Sequence, residues 1–304
     1  MKKVEIVTPV HNRREITLQC LRSIAKLNAE NLEIHTIIVD DGSTDGTSEA
    51  IRKEFPKVEI VQGDGNLWFT EGTNVGVRSA LKHNPDYVLM INDDQIFDAD
   101  SLGYMVETAE KYPRSVIGSL LLLWNVPHKL FQVSPKWDTL SGGWQLFEQQ
   151  TVWTIPNKPW EVGIIVGNCV LVPVKAIREE GLMNSKRYPN FGDAEYTPRL
   201  RKKGWKLLIE PRARVFCQPN ALPPKVSKMS LLKKVDALFF NLKDSHNLRR
   251  RFYMHIDSAP TKFQGFASFW IFWAKIFTQR LFKKSSDAAE KDIAEIFEEA
   301  VVKD

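Results

Sequence analysis

Cysteine is scarce in this sequence of 304 residues, which contains only Cys20, Cys169 and Cys217. None of them forms a C-x-x-C pair, and an odd number cannot be fully paired within one chain. The sequence therefore offers neither a disulfide framework nor a cysteine-based zinc cluster. A reducing environment is the simpler interpretation, so we expect a cytoplasmic protein.

Long apolar runs are also missing. The first apolar stretch ends at Pro9 and His11, which is too short for the apolar region of a signal peptide. The run from 266 to 277 contains Lys275 and is shorter than the roughly 20 residues of a membrane-spanning helix. We therefore predict no spanning helix, and we predict a first β-strand at residues 4–10.

Charge is balanced over most of the chain and then becomes strongly positive. Residues 1–224 hold 27 basic and 27 acidic side chains, whereas residues 225–284 hold 13 basic and 3 acidic ones. Such a tail is typical of proteins that meet an anionic surface, either a membrane or nucleic acid. The sequence contains no recognised nucleic-acid motif, so an anionic membrane surface is the expected partner and nucleic acid is not.

Strand-like and helix-like segments alternate through the first hundred residues. Residues 4–10, 34–42 and 58–62 are rich in β-branched residues, and helical patterns separate them. Ser43 and Thr44 are predicted to cap the second helix. This alternation predicts βαβ units and a mostly parallel, Rossmann-like central sheet flanked by helices, which is an α/β fold.

Polar clusters follow three of the predicted strands. These clusters are His11-Asn12-Arg13, Asp40-Asp41 and Asn92-Asp93-Asp94. Ligands of such sheets bind at the carboxyl ends of the strands, so we expect one site to collect all three clusters.

The carboxylates of Asp93 and Asp94 repel each other unless a cation lies beside them. Their oxygen ligands favour Mg²⁺ or Mn²⁺, which complete their coordination with phosphate oxygens and water. A solvated turn or a helix cap is the structural alternative. For Asp40 the alternatives are recognition of a uracil or thymine imide N–H and an Asx turn before the next helix.

Glycine is frequent in residues 63–77, but the spacing matches neither a dinucleotide-binding G-x-G-x-x-G motif nor a P-loop. These glycines would let the backbone approach phosphates. Trp68 stacks on a sugar or base in one interpretation and lies in the core in the other.

The second half of the chain is less regular. Residues 115–172 predict antiparallel strands and long loops that form a small acceptor-side sheet. Residues 191–205 predict a helix whose first turn holds Asp193 and Glu195; either one of them is a general base or both complement the helix dipole. Pro198 is expected to kink this helix and to separate its first turn.

Two aromatic-rich, basic segments, 230–242 and 263–284, predict helices near the end of the chain. Basic amphipathic helices lie in the membrane interface, which is the favoured interpretation. The alternative is that they dock on the catalytic core or pack in a homodimer.

In this order, the motifs resemble those of the family 2 glycosyltransferases of the GT-A fold, especially the bacterial surface-polysaccharide, rhamnosyltransferase-like branch. The resemblance covers roughly residues 4–218 and rests on TPVHNR, VDDGSTDGT, GNLWFTEGTNVGV, MINDDQIF and GNCVLVPVKAIREEGLMN followed by FGDAEYTPRLRKKGW. It implies a GT-A domain at 1–222, with a nucleotide-sugar-binding half to about 114 and an acceptor-side half beyond it. Residues 223–304 would be a helical appendage.

The resemblance also implies roles for matching residues. Asp40 would read the pyrimidine base, Asp94 would bind Mg²⁺ or Mn²⁺ in a D-x-D-like motif, and Asp193 would be the catalytic base. The implied nucleotide-sugar contacts are Thr8, Pro9, His11, Asn12, Arg13, Asp40, Asp41, Gly65, Asn66, Trp68, Asn74, Asn92 and Asp93.

Three departures from the family pattern are visible. Gly192 stands where the family often has an acid, and Asn92 replaces the first acid of the metal motif, which should weaken metal affinity without donor. Cys217 and Gln218 occupy the neighbourhood of a histidine that assists metal binding in many relatives.

The activity implied is an inverting, metal-dependent transfer of a sugar from a UDP- or dTDP-sugar to a glycan hydroxyl. The acceptor would be lipid-linked and the enzyme peripheral on the cytoplasmic face of the plasma membrane, in bacterial polysaccharide or lipopolysaccharide synthesis. A sugar nucleotidyltransferase and a non-catalytic nucleotide- or glycan-binding subunit of the same fold stay open as alternatives.

Overall fold

The computed structural model describes residues 1–132, 136–145, 150–165, 169–217, 230–244 and 246–282. Its strands are β1 (Lys2–Val10), β2 (Leu32–Asp40), β3 (Glu59–Gln62), β4 (Tyr87–Ile91), β5 (Ile96–Phe97), β6 (Ser115–Leu123), β7 (Leu130–Gln132), β8 (Lys136–Asp138), β9 (Gly143–Gln145), β10 (Trp160–Glu161), β11 (Cys169–Pro173) and β12 (Lys206–Cys217).

The helices are α1 (Arg14–Ile24), α2 (Thr47–Glu54), α3 (Trp68–Ala80), α4 (Ser101–Lys111), α5 (Val174–Glu180), α6 (Asp193–Lys202), α7 (Leu231–Val235), α8 (Leu248–Ser258) and α9 (Lys262–Phe282). A 3₁₀ turn at Leu81–His83 follows α3, and a π-helical turn at Asp236–Phe240 follows α7. No described helix is both long enough and apolar enough to cross a membrane.

One mixed sheet dominates the described part of the chain. Its strand order is β10-β12-β6-β11-β4-β1-β2-β3, with β5 beside β12 and β7 beside β6. The nucleotide-side strands β4, β1, β2 and β3 are mutually parallel, as the alternating pattern predicted. The central strand β4 is buried along its whole length, because sheet neighbours flank it and helices cover the faces.

Helix α3 packs against β1 through two of its glycines. A Cβ atom at Gly76 would lie 2.3 Å from Val7 Cγ1, and one at Gly72 would lie 2.7 Å from Pro9 Cβ. Real Cβ atoms are not found so close to another carbon, so only glycine lets α3 approach the sheet here. Glycines 72 and 76 therefore serve helix packing in this structure, whereas the sequence had suggested that they open the backbone to phosphates.

The cap of α2 differs from its prediction. The helix begins at Thr47, after Gly46 in the left-handed region, and the Asp45 carboxylate accepts the Thr47 N–H. Ser43 and Thr44 do not cap it; both instead bond Asn12 in the loop after β1. The prediction failed because these hydroxyl residues have a long-range partner that the local pattern does not contain.

Helix α6 also differs from its prediction. It is continuous from Asp193 to Lys202 with Pro198 inside it, so its first turn is not separate. Pro198 is the sixth residue of the helix, so the helix lacks only the one backbone hydrogen bond that an N–H at position 198 would donate. Because α6 has ten residues, little helix remains beyond the proline to show a kink.

The acceptor-side strands belong to the main sheet more than expected. Strand β11 runs antiparallel between β4 and β6, whereas β6 pairs in parallel with β12. The separate antiparallel sheet is the hairpin of β8 and β9. The predicted small antiparallel sheet is thus divided between this hairpin and the strands β7, β10 and β11, which pair antiparallel within the central sheet.

The C-terminal helices dock on the core. Trp144 of β9 donates its indole N–H to Ser258 Oγ at 2.8 Å, and Lys202 Nζ of α6 donates to the Asp257 carbonyl at 2.7 Å. A Cβ at Gly265 of α9 would lie 2.3 Å from the His255 carbonyl, so glycine lets α9 lie close to α8. Docking on the core, one of the two alternatives from the sequence, is therefore observed.

Candidate functional site

The adjacent carboxylates at the end of β4 share one guanidinium. Arg13 Nη1 donates to Asp93 Oδ1 at 2.8 Å, and Arg13 Nη2 donates to Asp94 Oδ2 at 3.1 Å. Both carboxylates are buried, whereas the Arg13 side chain is 35% exposed. The cation that relieves their repulsion in the protein alone is thus Arg13, which follows β1 by three residues.

Burial has the largest effect on the pKa of Asp93. Desolvation raises the pKa of Asp93 to about 6, although Arg13 and a hydrogen bond from Thr17 Oγ1 at 3.3 Å favour the ionised form. An ion that replaced the guanidinium would meet two hard carboxylate groups, which is the donor chemistry that Mg²⁺ and Mn²⁺ prefer. The residues therefore fit such an ion, and Arg13 is the partly exposed member of the cluster.

The loop after β1 is held by bonds to the loop after β2. His11 Nδ1 lies 2.6 Å from the Asp41 carbonyl oxygen, and the Asn12 N–H donates to Ser43 Oγ at 2.9 Å. Asn12 Oδ1 accepts the Thr44 N–H at 2.7 Å, and its φ of 51° lies in the left-handed region that asparagine tolerates. Thr8 is buried within β1, so this loop rather than the strand presents side chains outward.

Asp40 is buried and makes local hydrogen bonds at both oxygens. Oδ1 accepts the Ser43 N–H at 2.9 Å, and Oδ2 accepts the hydroxyl of Ser48 on α2. The bond to Ser43 is a local contact with the N–H three residues on, whereas the Asx turn that was one of the two alternatives would use the N–H two residues on. A base bound here would have to share the carboxylate with these donors.

Asp41 organises the glycine-containing turn before α3. Its two oxygens accept the N–H groups of Gly65 at 2.8 Å and of Trp68 at 3.0 Å. Gly65 has a φ of 85°, and Trp68 has a φ of 59° with 43% of its surface exposed. Asn66 between them is exposed. The turn therefore presents an indole and an amide to solvent, so Trp68 is not a core residue.

Asn74 links the two halves of the chain. Its Oδ1 accepts the Met183 N–H at 3.1 Å, and its Nδ2 donates to the Met183 carbonyl at 2.9 Å and to Glu71 Oε2 at 3.2 Å. Both side-chain N–H groups are thereby used inside the protein. The resemblance suggested that Asn74 contacts the nucleotide-sugar. In the structure this buried side chain bonds Met183 and Glu71.

Asp193 begins α6 at the acceptor side and is buried. The preceding Gly192 donates its N–H to Thr70 Oγ1 at 3.1 Å, and the Thr70 N–H donates to the Pro189 carbonyl at 3.1 Å. A Cβ at Gly192 would lie 2.4 Å from Thr70 Cγ2, which explains why an acid does not fit there. The first turn of α3 thus holds the segment that carries Asp193.

Glu195, two residues further, has a structural partner. Its Oε1 accepts from Arg199 Nε at 2.5 Å, and Arg199 also donates to the Glu180 and Leu182 carbonyls. Glu195 therefore fastens α6 to the turn after α5. Because Glu195 is paired with this cation, its role in α6 is structural, and the assignment of Asp193 as the general base stays a prediction.

Cys217 does not extend the carboxylate cluster. Its thiol is buried with Sγ 3.8 Å from the Leu122 carbonyl, and burial raises its pKa, with the Asp94 charge adding to the effect. A protonated thiol is a poor metal ligand. Gln218, its neighbour in the sequence, lies outside the described residues.

The sequence did not predict that side chains of the C-terminal region contact Trp68 and the loop before Asp193. Lys243 Nζ lies 4.5 Å from the centroid of the Trp68 ring, and the Arg250 guanidinium lies 4.9 Å from that of Phe191. Such cation–π contacts join residues more than 50 positions apart, so no local pattern could have predicted them. Positive charge from beyond residue 230 therefore reaches both the donor-side turn and the loop before Asp193.

A second group of contacts fastens α8 beside that loop. Asp257 Oδ2 accepts from Arg187 Nη1 at 2.7 Å and from the Tyr188 hydroxyl at 2.8 Å. The Arg187 guanidinium also lies 4.3 Å from the centroid of the Tyr253 ring. Residues 187–191 therefore lie between α8 and α6, and they form one wall beside Asp193.

Comparison with known proteins identifies a family for most of this chain. Residues 5–179 match the family model described as Glycosyl transferase family 2. N-acetylglucosaminyl-diphospho-decaprenol L-rhamnosyltransferase of Mycobacterium tuberculosis is 25% identical over 219 residues, which are 64% of this chain and 70% of that protein. Poly-beta-1,6-N-acetyl-D-glucosamine synthase of Staphylococcus epidermidis is 28% identical over 118 residues, 36% of this chain and 26% of the synthase.

Solved structures share the fold at low sequence identity. GalNAc-T7, solved with UDP, GalNAc and Mn²⁺, has a TM-score of 0.61 at 14% identity; the match covers 92% of this chain and 57% of that one. The S. aureus TarS 1-349 structure has a TM-score of 0.57 at 14% identity, covering 97% of this chain and 78% of TarS 1-349.

The family model covers more than half of this chain, and the TarS likeness extends over nearly all of it. The motifs TPVHNR, VDDGSTDGT and MINDDQIF span the carboxyl ends of β1, β2 and β4 and the loops that follow them. The chain therefore belongs to glycosyl transferase family 2, and it is a glycosyltransferase of the GT-A fold.

Proposed function

We propose that this glycosyltransferase is an inverting, metal-dependent enzyme that moves a sugar from a UDP- or dTDP-sugar to a hydroxyl of a lipid-linked glycan. The observation that supports it best is the first turn of α3. Trp68 N–H bonds Asp41 on the donor side, and Thr70 bonds Gly192 next to Asp193 on the acceptor side. One helix turn thus connects the nucleotide loops with the candidate base.

On the donor side, Asp94 would hold Mg²⁺ or Mn²⁺, and Asp93 would contact the ribose or the sugar. The ion would neutralise charge on the departing diphosphate. Arg13, which pairs with both carboxylates in the protein alone, would then face the diphosphate oxygens as a second cation. Asn12, Asp40 and their loops would border the nucleotide.

On the acceptor side, Asp193 would take the proton of the acceptor hydroxyl while that oxygen attacks the anomeric carbon. The bond between this carbon and the diphosphate oxygen breaks in the same step, which inverts the configuration. The role fits a carboxylate at the first position of α6, where the helix dipole interacts favourably with an acidic side chain.

The C-terminal region supports a lipid-linked acceptor. Exposed apolar side chains on α7 and the π-helical turn stand beside Lys233 and Lys234, and α9 exposes further aromatic rings near Lys262. The exposed side chains are Leu231, Leu232, Phe239, Phe240, Phe263, Phe266 and Trp270. Mixed aromatic and basic surfaces bind anionic bilayers, with each basic residue contributing about 1 kcal/mol. We propose peripheral binding at the cytoplasmic membrane face.

The test is a panel of UDP- and dTDP-sugars with Mn²⁺, offered with a polyprenyl-diphosphate N-acetylglucosamine acceptor. The expected products are a nucleoside diphosphate and an extended lipid-linked glycan. Release of pyrophosphate would instead identify a nucleotidyltransferase. Tight donor binding without any transfer or hydrolysis across the panel would contradict catalysis.

A further inference from the structure

A second cluster of ligand-type side chains lies away from the donor site, between β1, β2 and the turn after α3. Glu5 of β1 is fully buried, and its two oxygens face imidazole nitrogens. His35 Nδ1 lies 2.7 Å from Glu5 Oε2, and His83 Nδ1 lies 3.2 Å from Glu5 Oε1. The ligand atoms of these three residues all lie within 4.8 Å of one another.

His83 has a carboxylate at each ring nitrogen. Its Nε2 lies 3.4 Å from Glu59 Oε2, and Glu59 Oε1 accepts a hydrogen bond from Ser79 Oγ at 2.5 Å. A neutral imidazole carries one N–H, so one nitrogen would turn its lone pair toward a carboxylate. That contact is repulsive unless a proton or a metal ion lies between the two atoms.

The two carboxylates of Glu5 and Glu59 bring two negative charges to this cluster. Two additional protons, one on His35 and one on His83, would compensate them. A single divalent ion would compensate both charges while the imidazoles stay neutral. Burying an uncompensated carboxylate is costly, and Glu5 is the more buried of the two.

We propose that Glu5, His35 and His83 bind a divalent transition-metal ion of the Zn²⁺ type. Two imidazoles and one carboxylate are a common zinc ligand set, with water at the remaining position. Glu59 would accept the Nε2–H of His83 and so direct the Nδ1 lone pair at the ion, as carboxylates beside zinc-bound histidines do. His35 and His83 are each about one third exposed, which gives the ion a route from solvent.

The rigidity of the surrounding backbone supports the same conclusion. Glu5 and His35 are direct partners in the parallel register of β1 and β2, so their spacing is set by the sheet. Val10, at the carboxyl end of β1, is five residues beyond Glu5, which is roughly 16 Å of strand. The ion would therefore stabilise the nucleotide-side half of the sheet without touching the donor.

The experiment uses the full chain with Asp94→Ala, treated with EDTA and dialysed, so that binding at the donor site does not contribute. Titration with Co²⁺ should give one equivalent of ligand-field absorption in the visible region, which Zn²⁺ displaces. Zn²⁺ should also raise the Tm of this protein. His83→Gln should abolish the Co²⁺ bands, and Glu59→Gln should weaken binding about tenfold, because it removes only the supporting carboxylate.

His246→Gln is the matched control, because His246 is another histidine with a carboxylate partner, Asp244 Oδ1 at 2.9 Å. It should leave the Co²⁺ spectrum unchanged. Glu5→Gln tests the buried ligand and should also abolish Co²⁺ binding. If this variant does not fold, the Co²⁺ spectra of His83→Gln and Glu59→Gln test whether the cluster binds the metal. Absence of bound Co²⁺ and Zn²⁺, or binding that His83→Gln leaves intact, would overturn the proposal and assign the cluster to hydrogen bonds and protons alone.

Discussion

The donor side and the acceptor side of this protein are built in different ways. Donor-side loops are fastened by bonds between the ends of adjacent strands of one sheet, such as Asn12 to Ser43 and Asp41 to Gly65. The acceptor side is assembled from parts of the chain that lie in different elements, with Asp257 of α8 bonding Arg187 and Arg250 of α8 covering Phe191. One side depends on sheet topology and the other depends on docking of the C-terminal helices.

This difference indicates how each side should respond to change. A substitution on the donor side alters loops that bond one another directly and should change donor binding or chemistry. A substitution in the C-terminal helices acts through their docking, so it should loosen residues 187–191 while the donor-side loops keep their bonds. The predictions below separate these responses, from the largest expected effect to the smallest.

The largest effect is expected at the carboxylate pair. Asp94→Ala removes a ligand for Mg²⁺ or Mn²⁺ and leaves Arg13 bonded to Asp93 alone, so turnover should fall by about 1000-fold or more. Donor binding measured by calorimetry should lose its dependence on Mn²⁺. Asp138→Asn, at an exposed hairpin aspartate, is the control and should behave as the wild type. Full activity of Asp94→Ala with EDTA present would contradict a metal role.

The next effect concerns the link between the two sides. Asn74→Ala leaves the buried N–H and C=O of Met183 without their side-chain partner, which should lower the free energy of unfolding by about 1–3 kcal/mol. Denaturant titration measures this change. Asn66→Ala is the matched control, because Asn66 is exposed in the turn before α3. It should leave stability unchanged and, under the proposed function, weaken donor binding. Equal free energies of unfolding for the two variants would contradict a stabilising role of the bonds between Asn74 and Met183.

Membrane binding tests the C-terminal region separately. Replacing Lys233 and Lys234 together by glutamine should weaken binding to vesicles that contain anionic lipid by about 30-fold, since each lysine contributes about 1 kcal/mol. Sedimentation with vesicles measures it. Lys57 and Lys82 are exposed on the donor side, and the same double replacement there should have no effect. Equal loss in both double variants would mean that net charge, and not the C-terminal surface, determines binding.

The smallest expected effect is on the pH dependence of C-terminal docking. Burial lowers the pKa of His255 to about 4, below its ordinary value of 6.5. The unfolded chain therefore takes up a proton before the folded one does, so stability should fall as the pH decreases from about 6.5 toward 4. Because solvent screens this partly buried ring, the free energy of unfolding should fall by on the order of 1 kcal/mol over this pH range. His255→Gln should flatten the profile in this range, whereas an unchanged profile would exclude His255 as its source.

Much of the donor side could be predicted from the sequence. The alternating pattern led to parallel strands, and parallel strands place their carboxyl ends at one edge. As expected, the cluster after β1 contacts both of the others, with His11 beside the Asp41 carbonyl and Arg13 bonded to Asp93. What the pattern did not contain was the direction of individual side chains. Asn74 turns inward to Met183, and Ser43 bonds Asn12 in place of capping a helix. Both outcomes depend on residues that are distant in the sequence.

The acceptor side could be predicted only in outline. Helical patterns predicted helices at the positions of α6, α7 and α9, but such patterns do not state where a helix docks. The contacts of Arg187 with Asp257 and Tyr253 join segments about 70 residues apart, so they follow from the tertiary arrangement. The Glu5, His35 and His83 cluster went unnoticed for the same reason, because its members lie about 30 and 80 residues apart.

The most direct test of the central claim is a comparison of Asp193→Asn with the wild type in donor binding and in sugar transfer. The account predicts that the affinity for the donor with Mn²⁺ is unchanged, because Asp193 lies on the acceptor side, while transfer falls by about 100-fold or more. Measuring both quantities on the same preparation separates chemistry from folding. Transfer by Asp193→Asn at the wild-type rate would contradict the assignment of the base.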